Sequence, residues 1–455
     1  MARKARRASQ SDKLPASLEH VHLNAAGIDV GSESHYVAVP ADRDEQPVRT
    51  FSAFTPDLHQ LADWLKACRV DTVAMESTGV YWIPLYEVLT QLGFKVYLVS
   101  PQHLKRVPGR KTDVLDCQWL QQLHTFGLLS GAFRPEDIEV ALRGYMRQRA
   151  MLVSYAAQHI QHMQKALVQM NVLVHHAVKD ITGVSGMRII RAIIGGERDP
   201  HTLAAMRETG CKKDAATVAR ALQGNWRKEH LFALRQAVEL FDYYQEKILD
   251  CDRQILMHLQ NMEDRSDRGT GTPPQPEGKS PRKNQLTFDG AAQAYRISGT
   301  DLTKIPGIKA HTALKILSEI GTDVGHWPTA KHFASWLTLA PRNRISGGKR
   351  LSQRKTPPNA NRVAQALRVA AFSLHKSYSY LGAFYRRLAA RAGKGKAIQA
   401  TAHKIADQVY YALKYGTDYL ERGQQYYEEN YRQKVLTNMS RRAKELGYEL
   451  VKVAP

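Results

Sequence analysis

The sequence predicts a chain of the α/β + α class: an N-terminal α/β domain, a long helical segment and a mostly helical C-terminal domain. Residues 24–130 alternate strand and helix patterns, residues 137–262 carry long helical periodicity, and residues 300–415 return to helical patterning. At 455 residues the chain exceeds what one hydrophobic core usually organises, so two or three domains are expected.

The elements of the first domain follow in order along the chain. AAGIDVGSESHYVAVPA predicts two strands joined by a turn, and PVRTFSAF predicts a third. The helix TPDLHQLADWLKACR, with Thr55 expected as its cap, precedes the strand DTVAMES. The helix YWIPLYEVLTQLG, closed by Gly93, precedes the strand FKVYLVS, and TDVLDCQWLQQLHTF predicts a last helix. Together they predict a mixed sheet covered by helices.

The helical segment carries an apolar seam. Four apolar residues recur every seven positions, namely Phe241, Ile248, Ile255 and Met262. Tyr244 and Cys251 lie at intermediate positions of the same seam. This spacing predicts helix pairing, either within one chain or between subunits, with imperfect packing at His258 in the same seam. Residues 263–285 are polar and rich in Pro and Gly, which predicts a linker or insertion. The expected divisions are 1–20 (basic disordered tail), 21–136 (α/β), 137–262 (coiled-coil or dimerisation segment), 263–299 (linker or insertion), 300–415 (C-terminal domain) and 416–455 (helical tail).

The charge of the chain indicates a nucleic-acid partner. The formal net charge is +22, and the range from Val324 to Ala406 contains 16 Lys and Arg but no Asp or Glu. Such a block repels itself unless a polyanion such as DNA or RNA neutralises it. An inert basic surface would normally be interspersed with acids.

The remaining composition excludes several classes of protein. No stretch approaches the roughly 20 apolar residues of a membrane span. The basic start MARKARRASQSDK leads into no apolar segment, so it is a phosphate-seeking arm or a solubilising tail rather than a secretory signal. Four scattered cysteines with no CxxC pair argue against a disulfide framework or a zinc site and fit a reducing cytoplasm.

Four acidic residues form a candidate metal site. Asp29 lies in the strand GIDVG, Glu76 ends the strand AMEST, and Asp113 and Asp116 start a helix three residues apart, on one face. Acids within apolar strands are unfavourable unless they are paired or bind a ligand, and oxygen clusters at a sheet edge suit Mg²⁺. Two such ions can activate an attacking oxygen and stabilise a leaving one. Asp113 alone is equally consistent with a simple interaction with the helix dipole.

The C-terminal domain carries two candidate nucleic-acid-binding motifs. LTKIPGIKAHTALKILSEIG has the pattern of a helix-hairpin-helix, with a turn at Pro306 and Gly307 whose free N–H groups suit a phosphate. Ser346 precedes two glycines within a basic segment containing Arg342, Arg344, Lys349 and Arg350. Spacing alone leaves Ser346 open between a nucleophile, which needs a base, a metal or a positive field, and a phosphate-binding or polar loop residue.

This combination resembles the DEDD transposases of bacterial insertion sequences, the IS110 group. The matching segments are GIDVGSESH, AMESTGVYW, SPQHLKRVPGRKTDVLDCQWL, IPGIKAHTALKILSEIG, LAPRNRISGGKR and FYRRLAARAGKGKAIQATAHKIA, in the family's order. The resemblance implies an N-terminal RuvC-like domain of the RNase H fold and a C-terminal transposase domain. The linker at 263–285 and the C-terminal tail exceed the family's pattern.

The resemblance also implies residue roles and partners. Asp29, Glu76, Asp113 and Asp116 would bind Mg²⁺, and Ser346 would attack a DNA phosphodiester to form a phosphoserine linkage. The implied partners are donor and target DNA, a structured guide (bridge) RNA and further copies of the chain, as a dimer that pairs into a tetramer, in the bacterial cytoplasm at the nucleoid. The residues expected to contact nucleic acid are Arg110, Lys111, Gly307, Lys309, Arg342, Arg344, Lys349, Arg350, Arg354 and Lys355.

Three other functions are compatible with parts of the sequence. A RuvC-like hydrolytic nuclease would use water as the attacking group, and Ser346 would only bind phosphate. A catalytically decayed nucleic-acid-binding protein would keep the basic half alone. An actin-like ATPase would use GIDVGSES to cradle phosphate, but it would need further Gly-rich phosphate loops, and it leaves the basic half unexplained.

Overall fold

The computed structural model describes residues 20–77, 79–99, 113–129, 131–208, 213–268, 273–274, 284–341, 345–346, 349–350 and 361–451. For residues 113–115, 345–346, 349–350, 417–428 and 430–431 only the backbone is described. The chain divides into two compact units, Met1–Arg134 and Pro135–Pro455, and each is described by itself.

The first unit is built on the mixed sheet that the sequence predicted. Its elements are β1 (Ala25–Val30), β2 (Ser34–Ala38), β3 (Val48–Ser52), α1 (Thr55–Ala67), β4 (Thr72–Glu76), α2 (Trp82–Gln91), β5 (Lys95–Val99) and α3 (Asp113–Thr125). The strand order is β3-β2-β1-β4-β5. β2 runs antiparallel to β1 and β3, whereas β4 runs parallel to β1 and β5. This arrangement confirms the expected RNase H-like α/β fold.

Helices cover both faces of the sheet because the central strands β1 and β4 carry apolar residues that are buried on both faces. On one face Ile28 and Met75 share a buried core with Leu61 of α1 and Leu85 of α2. On the other face Ala74 and Val99 pack with Leu120 and Leu123 of α3. The start of α3 therefore lies on this second face of the sheet.

Two helix ends of the first unit test the capping expectations. The expected cap at Thr55 is wrong: Phe54 occupies the cap position without a side-chain hydrogen bond, and Thr55 already lies in the helix. Pro56 explains the shift, because its fixed φ and missing N–H suit the first helical turn. Gly93, expected to close α2, has φ +90°, a left-handed conformation that glycine adopts without strain.

Close packing of α3 on β1 depends on Gly27. A Cβ atom at this position would overlap the carbonyl oxygen of Cys117 and the backbone nitrogen of Gln121. Because the overlap is with backbone, Gly27→Ala should lower the free energy of unfolding by about 1–3 kcal/mol or more. Gly144→Ala is the control, since nothing lies within 4 Å of its added methyl and helix propensity alone should raise stability by about 0.5–1 kcal/mol. Thermal unfolding of both variants measures the difference, and equal stability would contradict the packing role of Gly27.

The second unit begins with two long helices, α4 (Asp137–Gln169) and α9 (Lys228–Asn261), which pack against each other. The predicted seam lies in this contact: Phe241, Ile248 and Ile255 are at most 5% exposed within the single chain. The packing expected to be imperfect at His258 is accommodated by a polar contact, because the Nε2 of His258 lies 2.7 Å from the carbonyl oxygen of Ile138. The seam is therefore buried within the single chain.

The described residues between the two long helices form four short helices that were not predicted separately: α5 (Val174–Ala177), α6 (Val184–Ile194), α7 (Pro200–Ala205) and α8 (Ala215–Ala221). Asp199 and Asp214 cap α7 and α8 through their side chains. Their buried faces share one core with α4 and α9. These short helices thus form a compact cap on one end of the α4–α9 pair.

A buried ion pair joins α4, α9 and the segment that follows. Arg149 Nε lies 2.5 Å from Asp252 Oδ1, with the two side chains 2% and 0% exposed. Arg149 also donates to the carbonyl oxygens of Asn284 and Gln285, and Asp252 accepts from the N–H of Thr287. The pair therefore fixes the entry to the C-terminal region on the long helices.

Removing one partner of this pair should leave a buried charge uncompensated. Asp252→Ala is expected to lower the free energy of unfolding by about 3–5 kcal/mol. The matched control is Asp242→Ala, which removes a partner from the ion pair with Arg191, whose side chains are 57% and 44% exposed; it should change stability by about 0–1 kcal/mol. Denaturant titration compares the two variants, and similar losses would refute a special role for the buried pair.

The described remainder of the second unit consists of helices and a two-strand ladder. Before the ladder come α10 (Gly290–Ser298), α11 (Ala310–Ile320) and α12 (Ala330–Trp336), and the ladder pairs β6 (Ile345–Ser346) with β7 (Lys349–Arg350). After it come α13 (Arg362–Ser373), α14 (Tyr380–Ala392), α15 (Lys394–Tyr415) and α16 (Thr417–Glu445). The range 263–299, predicted as a linker or insertion, contains the helix α10, which is capped by Asp289 and packs on α11. Among the described residues no helix is long and apolar enough to cross a membrane.

Candidate catalytic face and nucleic-acid interface

The register of the sheet places two of the predicted acids side by side. Ile28 on β1 pairs with Met75 on the parallel strand β4. The next residues, Asp29 and Glu76, therefore occupy neighbouring positions on adjacent strands. Both are partly exposed, so they lie where the sheet core gives way to the edge.

Both acids belong to the face covered by α3. Gly27, two residues before Asp29, lies against the backbone of α3, and Ala74, two residues before Glu76, packs with Leu120 of that helix. Side chains two apart on a strand share a face. The strands thus direct Asp29 and Glu76 to the side of the sheet on which α3 begins.

The start of α3 brings a third acid close to the first. Asp116 lies in the first turn, next to Cys117, which is fully buried. Burial raises the pKa of the Cys117 thiol to about 12, and the negative charges of Asp29 and Asp116 contribute to the same increase. Since charges act appreciably only over short distances in a protein, Asp29 and Asp116 both lie near this one thiol.

Asp29, Glu76 and Asp116 are brought to one region of the first unit. Within the described side chains, no group of three His, Cys, Asp or Glu is close enough to hold a metal ion. Asp113 is the first residue of α3, but its side chain lies outside the described part, as do Arg110 and Lys111. Tyr36, which sequence reasoning missed, pairs with Asp29 across β1 and β2 and is therefore on the same face.

In the second unit the predicted hairpin forms one wall of a cleft of about 840 Å³. Gly307 has φ +92°, and a Cβ there would approach the carbonyl oxygen of Ala370 to 3.0 Å. Lys309 is exposed and precedes α11, whose first turn has no side-chain cap. Ala313, Leu314 and Leu317 of this helix are buried. The uncapped N–H groups thus face an open, basic cleft.

Other residues of the cleft escaped sequence reasoning. Its opposite wall comes from α13, through Gln365 and Val369, and its floor includes His311 and Lys315. Burial lowers the pKa of His311 to about 4, so the ring is neutral near pH 7. Burial, together with the nearby Arg362, also lowers the pKa of Lys315. No periodicity distinguished these positions from an ordinary helix face.

The candidate nucleophile lies in a short β-ladder. Ser346 pairs with Lys349, and Ile345 with Arg350, so two residues connect the strands. The side chains of Ser346, Lys349 and Arg350 are not described, and Arg342, Arg344, Arg354 and Lys355 lie outside the described residues.

A five-strand mixed sheet with acids on adjacent strands, followed by a basic helical unit, defines a nucleic-acid-processing protein of the RNase H-like class. Two family models match the chain: a DEDD-type transposase model of IS110 elements (DEDD_Tnp_IS110, Transposase) over residues 26–172, and the Transposase IS116/IS110/IS902 family over residues 299–386. The chain belongs to the IS110 family of transposases. The first range includes the four acids and the second includes Ser346. Comparison with curated proteins gives no match.

Membership in this family defines the general activity. Transposases are enzymes that act on DNA, so this chain binds DNA. The resemblance inferred from the sequence motifs is thereby confirmed at the level of family and fold.

Proposed function

We propose that this transposase cuts and rejoins DNA through a phosphoserine at Ser346, with the acids on the α3 face holding Mg²⁺. The observation that carries the proposal is the adjacency of Asp29 and Glu76 on β1 and β4, with Asp116 approaching from the first turn of α3. Carboxylates on neighbouring strands repel each other, and a bound cation would offset that repulsion.

The donor set fits a hard cation. The four acids offer only carboxylate oxygens, which Mg²⁺ prefers: Asp29, Glu76, Asp113 and Asp116. Because two of them lie on strands of the sheet, their backbone positions do not depend on a bound metal. When bound, Mg²⁺ would stabilise negative charge on the phosphate under attack.

The serine has a defined role in the proposed reaction. Its Oγ forms a bond to phosphorus, the bond from phosphorus to one sugar oxygen breaks, and that oxygen takes up a proton as the serine hydroxyl loses its own. The phosphodiester is thereby conserved as a phosphoserine. In the second step a sugar hydroxyl of the new partner strand attacks the same phosphorus, and serine leaves with a proton.

The basic unit supplies the binding surface in this proposal. The hairpin at Gly307, Lys309 and the amide groups that open α11 would bind phosphate, as would the Arg and Lys residues around Ser346. A structured guide RNA that pairs with donor and target DNA would provide sequence recognition. Assembly into a dimer and a tetramer would use surfaces other than the α4–α9 seam, and the whole reaction would take place in the cytoplasm.

The alternative function is a RuvC-like hydrolytic nuclease, in which the same acids activate water. It is favoured by the fact that the acid face lies entirely within the first unit, whereas Ser346 lies in the second. The alternatives differ in their products. Hydrolysis releases free DNA ends, and the serine mechanism leaves protein bound to one end.

The test is to purify the full chain from cells that carry its element, sequence the RNA that remains bound, and incubate the complex with DNA of the element ends and Mg²⁺. A protein–DNA adduct that survives denaturing electrophoresis, and is absent with EDTA, is the expected result. Cleaved DNA without any adduct would favour the hydrolytic nuclease. Absence of both cleavage and adduct would favour a decayed nucleic-acid-binding protein.

A further inference from the structure

An exposed aromatic surface lies between α13 and α14, outside every motif that the sequence analysis singled out. Phe372 is 51% exposed, Tyr378 is fully exposed, and Val369 is 70% exposed. The ring of His375 stacks on Phe372, with centroids 5.4 Å apart and an interplanar angle of 19°. We call Phe372, His375 and Tyr378 the aromatic turn.

The backbone of the aromatic turn is fixed by its neighbours. Leu374 is 4% exposed and Leu381 fully buried, so the turn is anchored on both sides of Tyr378. Arg386 donates to the carbonyl oxygens of His375 and Ser377, and a Cβ at Gly382 would overlap the carbonyl oxygen of Ser377. The rings are therefore presented on a rigid support rather than on a loose loop.

The surroundings of the aromatic turn are basic. It lies within the range 324–406, which contains no Asp or Glu, and Lys376 and Arg386 beside it are exposed. The helix that carries Phe372 also forms a wall of the hairpin cleft through Val369 and Ser373. Exposed rings next to positive charge and uncapped amide groups match the requirements of an unpaired nucleotide, whose base stacks while its phosphate is bound.

We propose that the aromatic turn is a stacking platform for single-stranded nucleic acid. Phe372 with His375 would stack one unpaired base and Tyr378 another, while Lys376, Arg386 and the hairpin amide groups would hold the adjoining phosphates. A duplex conceals its base faces, so the platform distinguishes unpaired from paired strands. The inference rests on the nucleic-acid-binding part of the proposed function and is independent of the chemistry of Ser346.

The test measures binding of fluorescent oligonucleotides to the full chain: single-stranded DNA, single-stranded RNA of the same sequence, and duplex DNA. Phe372→Ala and Tyr378→Ala should each weaken single-strand binding about 5- to 100-fold and duplex binding less than about twofold. Tyr378→Phe should bind like the parent, because it keeps the ring. Phe232→Ala is the control, since Phe232 is 62% exposed on α9, away from the basic range; it should change nothing.

The outcomes separate this inference from the proposed function. Loss with RNA alone or with DNA alone supports the platform and identifies which strand it holds. Unchanged single-strand binding in both alanine variants, or an equal loss for the duplex, overturns the platform but leaves the transposase function intact. A parent protein that binds none of the three oligonucleotides would contradict the nucleic-acid-binding role on which both rest.

Discussion

Glu76→Gln is expected to lower the rate of Mg²⁺-dependent DNA cleavage by at least about 10²–10³-fold, the loss typical of removing one group that stabilises developing charge. The change replaces one carboxylate oxygen by an amide NH2 group of nearly the same size, so packing at the end of β4 should persist. Asp29→Asn should have the same effect, because Asp29 is its neighbour on β1. Cleavage of labelled element-end DNA measures the rates.

Two controls make this result specific. DNA binding by both variants should match the parent within about twofold, since the other proposed phosphate contacts lie in the second unit. Glu87→Gln changes an exposed acid on α2, which packs on the opposite face of the sheet, and it should retain full cleavage. If Glu76→Gln and Asp29→Asn cleaved as fast as Glu87→Gln, the acid face would have no part in catalysis.

Ser346→Ala is expected to remove the protein–DNA adduct entirely, because the variant lacks the oxygen that would bond to phosphorus. Strand joining should fall by about 10³-fold or more, as for other enzymes that lose a nucleophile. The change is small and lies in a two-residue strand, so folding should be unaffected. Denaturing electrophoresis of the reaction detects the adduct.

Ser154→Ala is the matched control, since Ser154 is an exposed serine on α4 in the same unit. It should form adduct at the parent rate. Persistent adduct in Ser346→Ala would assign the nucleophile to another residue. Persistent cleavage with no adduct in either protein would support the hydrolytic alternative, because water rather than serine would then attack.

The sheet and its two covering layers followed from the sequence because their information is local. The short apolar runs of β1 and β4 and the glycine after α2 each encode one element, and all agree with the structure. Thr55 was misassigned as a cap because Pro56 moves the helix start by one residue. The four short helices before α9 were missed, since their tertiary packing, rather than a long periodic pattern, holds them.

The candidate site was less accessible to sequence reasoning. Asp29 and Glu76 could be singled out because acids are rare in apolar strands, but their adjacency depends on the parallel register of β1 and β4. The sequence also left open whether the seven-residue seam packs within one chain or between two chains, because both arrangements have the same spacing. The structure buries Phe241 and Ile255 against α4 of the same chain. The hairpin cleft needs α13, which is about 50 residues away in sequence.

The central claim is that serine and acids act on one DNA phosphate, and peptide mapping of the adduct tests it most directly. The full chain is reacted with element-end DNA and Mg²⁺, digested with protease and nuclease, and its peptides are analysed by tandem mass spectrometry. The proposal predicts a nucleotide joined through phosphate to Ser346 in the parent protein and no such peptide in Glu76→Gln. A nucleotide on any other residue, or a modified Ser346 that forms equally well in Glu76→Gln, would contradict it.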